Sequence, residues 1–157
     1  MDEREPLTYE QAKDKALKVL EYRSHTEKEL SGKLRRAGAE YDTIEEVLAF
    51  CRNYGFLNDE AYAKAYARDL VRLKKYGERR IRQELSKKGI DRDLIDEAVS
   101  ELDLSEFDAL YPLMEKKLAG SFDRKSIDRA TRYFVYRGYS FDDINRCVQE
   151  LKSEYEE

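Results

Sequence analysis

One short pattern occurs three times in the chain and constrains its fold more than any other feature. A glycine is followed four residues later by an aspartate at the start of an amphipathic segment, at Gly38, Gly89 and Gly138, which lie 51 and 49 residues apart. A residue without Cβ adopts the left-handed conformation after a helix at the least cost, so each glycine predicts the end of a preceding helix. A period of about fifty residues therefore indicates a repeated unit of several helices.

The apolar residues after each glycine have helical spacing. They recur at i, i+3, i+4 and i+7, which is one face of an α-helix. The three equivalent sets are Ile44, Val47, Leu48 and Cys51; Ile95, Ala98, Val99 and Leu102; and Ile144, Cys147, Val148 and Leu151. Because both cysteines occupy apolar positions in this alignment, we interpret them as core residues and not as reactive thiols.

Two further helices complete each unit. The helix before each glycine has apolar residues eight and four positions earlier, as at Ile81 and Leu85, and Thr26 and Glu29 have the spacing of a capping box. The first helix of the middle unit has a predicted core face of Tyr62, Tyr66, Leu70 and Leu73. The predicted helices lie near residues 8–21, 26–37, 42–54, 59–75, 78–88, 92–102, 105–119, 124–137 and 141–154. The sequence thus predicts an all-α fold, a tandem array of three three-helix repeats at 1–57, 58–103 and 104–157 that is elongated and curved.

The composition agrees with helices and gives no sign of catalysis. Charged residues make up 41% of the chain, while there are two prolines, seven glycines, two cysteines and one histidine. This inventory offers no disulfide framework and no metal-ligand spacing, so we expect no cofactor and no metal. No apolar run could span a bilayer and no signal-peptide pattern is present, so we expect a cytoplasmic protein.

Individual polar residues also have structural interpretations. His25 has no partner spaced for general base catalysis, so we expect it to lie at the surface or to cap a helix. The carboxylates at predicted helix starts, such as Asp42, Asp59, Asp93 and Asp142, are typical of capping and of favourable interaction with the helix dipole. We therefore expect that the protein is not an enzyme.

Charge is strongly segregated along the chain although the net charge is only −4. Residues 90–106 contain one basic and seven acidic side chains. Residues 64–88, named here the basic segment, contain ten basic and three acidic side chains. The basic members, which we predict to bind a partner or nucleic acid, are Lys64, Arg68, Arg72, Lys74, Lys75, Arg79, Arg80, Arg82, Lys87 and Lys88.

A second candidate surface lies in the third unit. Tyr133 and Tyr136 occupy positions that hold charged side chains in the first two units, and basic residues such as Arg129 and Arg132 lie close to them in sequence. Tyrosines mixed with arginines are typical of interface hot spots and of base-stacking surfaces. Burial of the two tyrosines in a differently packed last unit is an equally open alternative.

Three stretches of the sequence resemble the RecX family of regulatory proteins. They are RSHTEKEL at 23–30 followed by Lys33 and Leu34, GFLNDEAYA at 55–63, and GERRIRQEL at 77–85 followed by Lys88, Gly89 and Ile90. The resemblance covers about residues 10–155 and is strongest in the first two units. It departs from the usual family pattern at Asn58, where aspartate is usual, and at His25, where arginine is frequent.

The resemblance implies tandem three-helix repeats and a partner, the RecA recombinase filament. It implies binding in the filament groove on single-stranded DNA and inhibition of strand exchange and of SOS-repressor cleavage. A second interpretation is a direct DNA-binding protein in which the helix at 78–88 enters a groove and presents Arg79, Arg82 and Gln83 to single-stranded or double-stranded DNA. A third is a helical scaffold for another partner. We expect a monomer, because polar and acidic ends can cap the array.

Overall fold

The computed structural model describes residues 5–103 and 105–157, and every regular element within these ranges is an α-helix. This confirms the predicted all-α fold, and each helix boundary lies within two residues of its predicted position. The helices are α1 Tyr9–Tyr22, α2 Glu27–Arg36, α3 Tyr41–Asn53, α4 Asp59–Lys74, α5 Glu78–Lys87, α6 Arg92–Ser100, α7 Glu106–Leu118, α8 Arg124–Tyr136 and α9 Phe141–Glu156.

Side chains fix the starts of several helices. The predicted capping box of α2 is present, because the Thr26 hydroxyl accepts from the Glu29 N–H and the Glu29 carboxylate accepts from the Thr26 N–H, both at 3.1 Å. Thr8 and Gln11 form the same box before α1. Ser140 caps α9 by accepting from Asp143 N–H at 3.1 Å. Each bond satisfies a backbone donor that the first helical turn leaves unpaired.

The three repeat glycines end their helices as predicted. Gly38, Gly89 and Gly138 have φ angles of 105°, 84° and 102°, which is the left-handed region. Gly38 lies between α2 and α3, Gly89 between α5 and α6, and Gly138 between α8 and α9. The glycines are therefore required by backbone conformation, which explains why the same residue recurs at each period.

The chain forms two compact units, Met1–Ala65 with Leu85–Asp96, and Tyr66–Glu84 with Glu97–Glu157. In the first unit, α1, α2 and α3 pack on one another around a core in which Leu30, Leu34, Val47 and Cys51 are fully buried. The Thr26 hydroxyl also donates to Lys88 O at 2.6 Å, so the end of α5 is bonded to the start of α2.

The second unit has its core between α7, α8 and α9. Leu110, Met114, Ile144 and Cys147 are fully buried there, and Phe134 is 3% exposed. The rings of Phe134 and Tyr139 meet edge to face with centroids 6.0 Å apart, an arrangement favoured by the aromatic quadrupole. This packing holds α8 with one face inward and its polar face outward.

The predicted burial of the three isoleucines that follow the repeat glycines is confirmed. Ile44, Ile95 and Ile144 are all buried, at 4%, 6% and 0% exposure. Cys51 and Cys147 are buried as well, and burial raises the pKa of Cys51 and raises the pKa of Cys147 to about 12. Both thiols are thus protonated at neutral pH, as expected of core residues.

Two residues lie elsewhere than predicted. His25 is 3% exposed, not at the surface, and its Nδ1 lies 2.8 Å from the carbonyl oxygen of Arg23. Because a carbonyl only accepts, Nδ1 donates, and burial lowers the pKa of this histidine. Leu73 is 64% exposed, because the buried stripe of α4 follows Ala63, Ala67 and Leu70 and Leu73 falls to its side.

The four aspartates at predicted helix starts lie in the first turns, where they interact favourably with the helix dipole. Two of them were wrongly expected to cap. Ser140 and not Asp142 caps α9, while Glu40, the N-cap residue of α3, makes no side-chain capping bond. Asp59 accepts from the Glu27 N–H at 3.0 Å, so it serves the start of α2.

None of the described helices has the length and apolar character needed to cross a membrane.

A candidate partner-binding surface of cations and aromatic rings

The surface is built where the turn between α4 and α5 meets the end of α8, within the second compact unit. The N–H of Gly77 donates to Arg137 O at 2.9 Å, and the N–H of Arg79 donates to Gly138 O at 3.3 Å. N–H groups at and just before the start of α5 are thus bonded to the carbonyls of the two residues that directly follow α8. Such groups at helix ends otherwise lack partners. Two helix termini of opposite partial charge meet at this point.

Side chains reinforce the same contact from both directions. The Arg137 guanidinium donates to Lys74 O, and the Tyr139 hydroxyl donates to Lys75 O at 2.9 Å. The Arg80 guanidinium donates to Tyr136 O at 3.1 Å. The carbonyls at the ends of α4 and α8 are therefore bonded reciprocally, which fixes the positions of the side chains around them.

Close backbone approach at this contact requires two glycines. A Cβ on Gly77 would lie 2.6 Å from Gly138 O, and a Cβ on Gly138 would overlap the backbone of Arg80. Backbone atoms cannot move aside as the end of a flexible side chain can. The contact is therefore specific for glycine at both positions.

Above this contact, cations and rings alternate in a row that we name the cation–aromatic ladder. Arg80 Cζ lies 4.8 Å from the ring centroids of both Tyr136 and Tyr76. Arg137 Cζ lies 5.2 Å from the centroids of both Tyr76 and Tyr133. The order of the ladder is Tyr136, Arg80, Tyr76, Arg137, Tyr133 and Lys117, whose Nζ is 4.1 Å from the Tyr133 centroid.

The side chains of the ladder are held by internal contacts and are still accessible. Tyr136 is 72% exposed and Tyr133 is 41% exposed, as predicted for the pair. The Arg80 side chain is only 15% exposed and pairs with Glu84 at 2.9 Å, so hydrogen bonding keeps its pKa raised and its charge fixed. Each cation over a ring is worth about 0.5–2 kcal/mol, depending on its exposure. A surface of this kind loses little side-chain entropy when a partner binds.

A groove with basic walls lies beside the ladder. Its lining includes Lys75, Lys116, Lys117, Tyr133 and Arg137, with an apolar base formed by Leu113 and Phe134. Lys75 reaches this place because it ends α4 in the left-handed conformation, at φ 56°. The groove and the ladder together present positive charge next to aromatic rings, which suits an acidic or phosphate-bearing partner.

The structure brings some of the predicted site residues together. Lys75, Arg80, Tyr133 and Tyr136 belong to the ladder or to the groove beside it. The exposed residues Arg129 and Arg132 precede the two tyrosines by one helical turn on α8. Their role in binding stays a prediction.

The rest of the basic segment is spread along α4 and α5. Arg68, Lys74, Arg79 and Lys87 are exposed, as is Arg72, which is 3.4 Å from Asp69. Others form ion pairs within the protein: Lys64 with Glu60 at 2.9 Å, Lys88 with Glu29 at 3.5 Å and Arg82 with Glu78 at 4.0 Å. Pairing makes these three less available than the exposed arginines.

Three members of the ladder, Tyr76, Arg137 and Lys117, were not among the predicted binding residues. Tyr76 stands in a turn next to Gly77, and Lys117 lies on α7, far from the basic segment. No spacing rule joins residues so distant in sequence. The position of Arg137 directly after Tyr136 was the one signal available from the sequence. Among the residues that the structure describes, no cluster of His, Cys, Asp or Glu could hold a metal ion.

The helix order places this protein in the class of all-helical proteins made of three-helix repeats. Two family models match the chain: that of the first three-helix domain of RecX at residues 12–51, and that of the second at residues 58–99. The regulatory protein RecX of Vibrio campbellii is 39% identical over 139 residues, which cover 87% of this chain and 89% of that protein. The regulatory protein RecX of Clostridioides difficile is 37% identical over 149 residues, which cover 91% and 69%.

Solved structures agree with these matches. The crystal structure of RecX from Lactobacillus salivarius has a TM-score of 0.81 and 29% identity, covering 92% of this chain and 96% of that chain. A second RecX crystal structure, at 23% identity and a TM-score of 0.73, shows the same fold. The chain belongs to the RecX family. The relatives are named as regulatory proteins, which points to regulation and not to catalysis.

Proposed function

We propose that this protein binds the RecA recombinase filament and inhibits its recombinase and co-protease activities, so that it modulates recombination, DNA repair and the SOS response. Membership of a family of regulatory proteins supports a regulatory role. We also propose that the protein acts as a monomer in the cytoplasm, and that its three repeats at 1–57, 58–103 and 104–157 are the units of the binding array.

The observation that carries this proposal is the cation–aromatic ladder. Tyrosine and arginine are the residues most enriched in interface hot spots, and here Arg80 and Arg137 hold Tyr76, Tyr133 and Tyr136 in place before any partner arrives. The exposed arginines of the basic segment would add attraction towards acidic filament surfaces or DNA phosphates. The ladder would then give affinity, and the basic segment would give fast association.

Direct DNA binding by α5 is the second candidate function. Arg79 and Gln83 are both exposed and one helical turn apart, which is a spacing suited to contacts with base edges. Arg82 contributes less in this interpretation, because it is half-buried and lies near Glu78. The two functions differ in whether RecA bound to the DNA helps or hinders binding.

Replacing Tyr136 by Ser tests the proposal. We expect roughly tenfold more of the variant to be needed for half-inhibition of RecA-driven strand exchange, as for the loss of a hot-spot aromatic. The melting temperature should change little, because the ring is 72% exposed. Strand exchange assays and thermal unfolding followed by circular dichroism measure the two quantities.

The matched control is Tyr41→Ser, since Tyr41 is 74% exposed and lies outside the ladder. This variant should inhibit as well as the parent protein. Equal inhibition by Tyr136→Ser and Tyr41→Ser would remove the ladder from the mechanism. No inhibition by the parent protein at any concentration would reject the function itself.

A further inference from the structure

A second basic groove lies between α1 and α2, inside the first compact unit. Its lining includes three lysines, of which Lys15 and Lys18 are exposed and Lys33 is half-buried. The guanidinium of Arg23 lines one end and that of Arg36 lines the other. This groove consists of two adjoining pockets that share Lys15, Val19 and Lys33. Together they are lined by five basic residues and by His25, in a protein whose net charge is −4. In the part of the chain that the structure describes, no carboxylate lines it.

The base of the groove is apolar. Val19 and Ala37 lie between the cations, and Tyr22 stands beside Arg23 with 87% of its surface exposed. On α1 the stripe formed by Lys15, Lys18, Val19 and Tyr22 follows the helical period, so these side chains share one face. An apolar base between amines is suited to a ligand that combines carboxylates with an apolar side chain.

The positions of two cations are fixed by the fold. Gly32 is a buried glycine inside α2, and the Arg36 guanidinium lies over it, 3.2 Å from where a Cβ would be. A glycine in a helix interior costs roughly 0.5–1 kcal/mol relative to alanine, and here the space that it leaves is filled by a cation of the groove. Arg23 is held by its bond to Ser24 O at 2.9 Å and lies 3.5 Å from Glu29.

The size of the groove and the charges around it favour an acidic peptide over a nucleic acid strand. Lys15 and Tyr22 are about 10 Å apart along the helix axis, which matches three or four residues of an extended peptide. A nucleic acid strand would continue beyond the groove and meet the exposed carboxylates of Asp14 and Glu21 on the neighbouring face of α1. Short side-chain carboxylates would not meet this repulsion.

We propose that the groove between α1 and α2 binds a short acidic peptide segment of a protein partner, with carboxylates on Lys15, Lys18 and Lys33 and an apolar side chain over Val19. This site lies outside the cation–aromatic ladder and does not depend on the proposed function. Carboxylates at alternate positions of an extended peptide lie about 7 Å apart on one side, so two of them reach the amines of both helices.

The probe is a fluorescein-labelled hexapeptide, Glu-Ser-Glu-Ser-Leu-Ser, whose two glutamates and leucine lie on one side of the extended chain. Its binding is measured by fluorescence anisotropy with the whole protein. We expect saturable binding that weakens with added salt, as exposed charge pairs are screened. The double variant Lys18→Glu and Lys33→Glu should bind at least tenfold more weakly. Lys125→Glu with Lys152→Glu, which reverses two exposed lysines elsewhere, should bind as the parent does.

Neutral substitutions guard against loss of folding. Lys15→Gln with Lys18→Gln keeps the size of the side chains and should still weaken binding by severalfold, with an unchanged circular dichroism spectrum. Three results would overturn the proposal: affinity within twofold of the parent in both groove variants, equal binding of a peptide with glutamine in place of glutamate, or tighter binding of a deoxythymidine oligonucleotide to the same lysines. RecA is absent from the assay, so its outcome is separate from that of the filament experiment.

Discussion

Arg80 performs several tasks with one side chain. Its guanidinium pairs with Glu84, donates to Tyr136 O and lies between the rings of Tyr76 and Tyr136. The planar, delocalised guanidinium makes this combination possible. A lysine ammonium could not stack on aromatic rings and donate several hydrogen bonds in one plane at the same time. Arg80 is therefore a positioning residue of the ladder, whereas Arg79 beside it is exposed and available to a partner.

The sequence indicated the residues of this region better than their roles. Arg80 was predicted as a binding residue from its charge alone, and the charge is indeed next to the ladder. Its tertiary contacts with Tyr136 join residues 56 positions apart, and no local pattern contains that information. In contrast, the burial of Cys51 and Ile44 followed from helical spacing, which the sequence states directly.

Glu106 is a half-buried carboxylate whose environment opposes ionisation. It accepts from the Glu78 N–H, and burial followed by the nearby charges of Glu78 and Asp143 raises its pKa. A carboxyl whose pKa is higher in the folded state contributes stability below its unfolded pKa and loses that contribution as the pH rises through the folded pKa. At neutral pH the ionised Glu106 is therefore destabilising.

Replacing Glu106 by Gln should accordingly raise the melting temperature at pH 7, because glutamine still accepts from Glu78 N–H but carries no charge. The advantage should shrink as the pH is lowered into the range where Glu106 is protonated in the parent. Thermal unfolding between pH 4 and pH 8 measures this, at roughly 0.5–1 kcal/mol for a single partly buried charge. The exposed Glu46→Gln is the control. A pH-independent difference, or a less stable variant at pH 7, would contradict the explanation.

At the scale of the helices, junctions made of helix ends occur in both compact units. In one, the Thr26 hydroxyl at the start of α2 donates to Lys88 O, and Gly89 lies against the Lys28 side chain. In the other, the start of α5 is bonded to the carbonyls of the two residues that directly follow α8, with Gly138 against the Arg80 backbone. In the first junction Gly89 lies beside the start of α2, and in the second Gly138 lies beside the start of α5.

The repeat glycines therefore differ in what they contact, which gives a matched pair of substitutions. Gly38→Ala places a Cβ in open space and should cost only the left-handed strain, about 1–2 kcal/mol. Gly138→Ala adds an overlap with the Arg80 backbone, and overpacking of this kind costs about 1–3 kcal/mol more. Urea unfolding of both variants compares the two costs. Equal losses would show that the second junction yields easily.

Helix boundaries were predictable because they depend on local chemistry. Capping residues such as Thr26 and left-handed glycines such as Gly89 act within a few residues of themselves. The face of α4 was harder to predict, because its core stripe is made of Ala63, Ala67 and Leu70 and half-buried tyrosines stand beside it. Small alanines give a weak apolar signal, and large residues next to them gave a stronger and misleading one.

At the scale of the whole molecule, positive charge is concentrated in one segment although the net charge is negative. A chain with net charge −4 contains a segment with ten basic and three acidic residues. Such segregation is compatible with steering towards an acidic partner, whereas the total charge opposes non-specific binding to nucleic acid. The family could be inferred from sequence motifs, but the partner surface depends on contacts between distant residues and needed the structure.

Reversing exposed members of the basic segment tests this distribution. Arg68, Arg72 and Arg79 replaced together by Glu should lose most inhibition of strand exchange, and binding of the parent protein should weaken steeply with salt. Stability should change little, because exposed charges contribute little to it. The control reverses Arg124, Lys125 and Lys152, which are also exposed. Inhibition equal to the control would exclude the segment.

Measuring binding to RecA-coated and to naked DNA separates the two candidate functions. A regulator of the filament should bind RecA-coated single-stranded DNA more tightly than naked DNA of the same length. A direct DNA binder should lose affinity when RecA covers the phosphates. Anisotropy measurements on both forms at two salt concentrations distinguish these outcomes, since release of counterions gives naked DNA the steeper salt dependence.

The contact between α8 and α5 also bears on how such proteins diverge. Its bonds from Gly77 and Arg79 to Arg137 and Gly138 join main-chain groups, which every residue type except proline can supply. Mutation can replace most side chains around this joint without removing a single one of those bonds, and only the two glycines are under strict steric selection. Lineages can therefore drift far apart in sequence while inheriting the same angle between these helices.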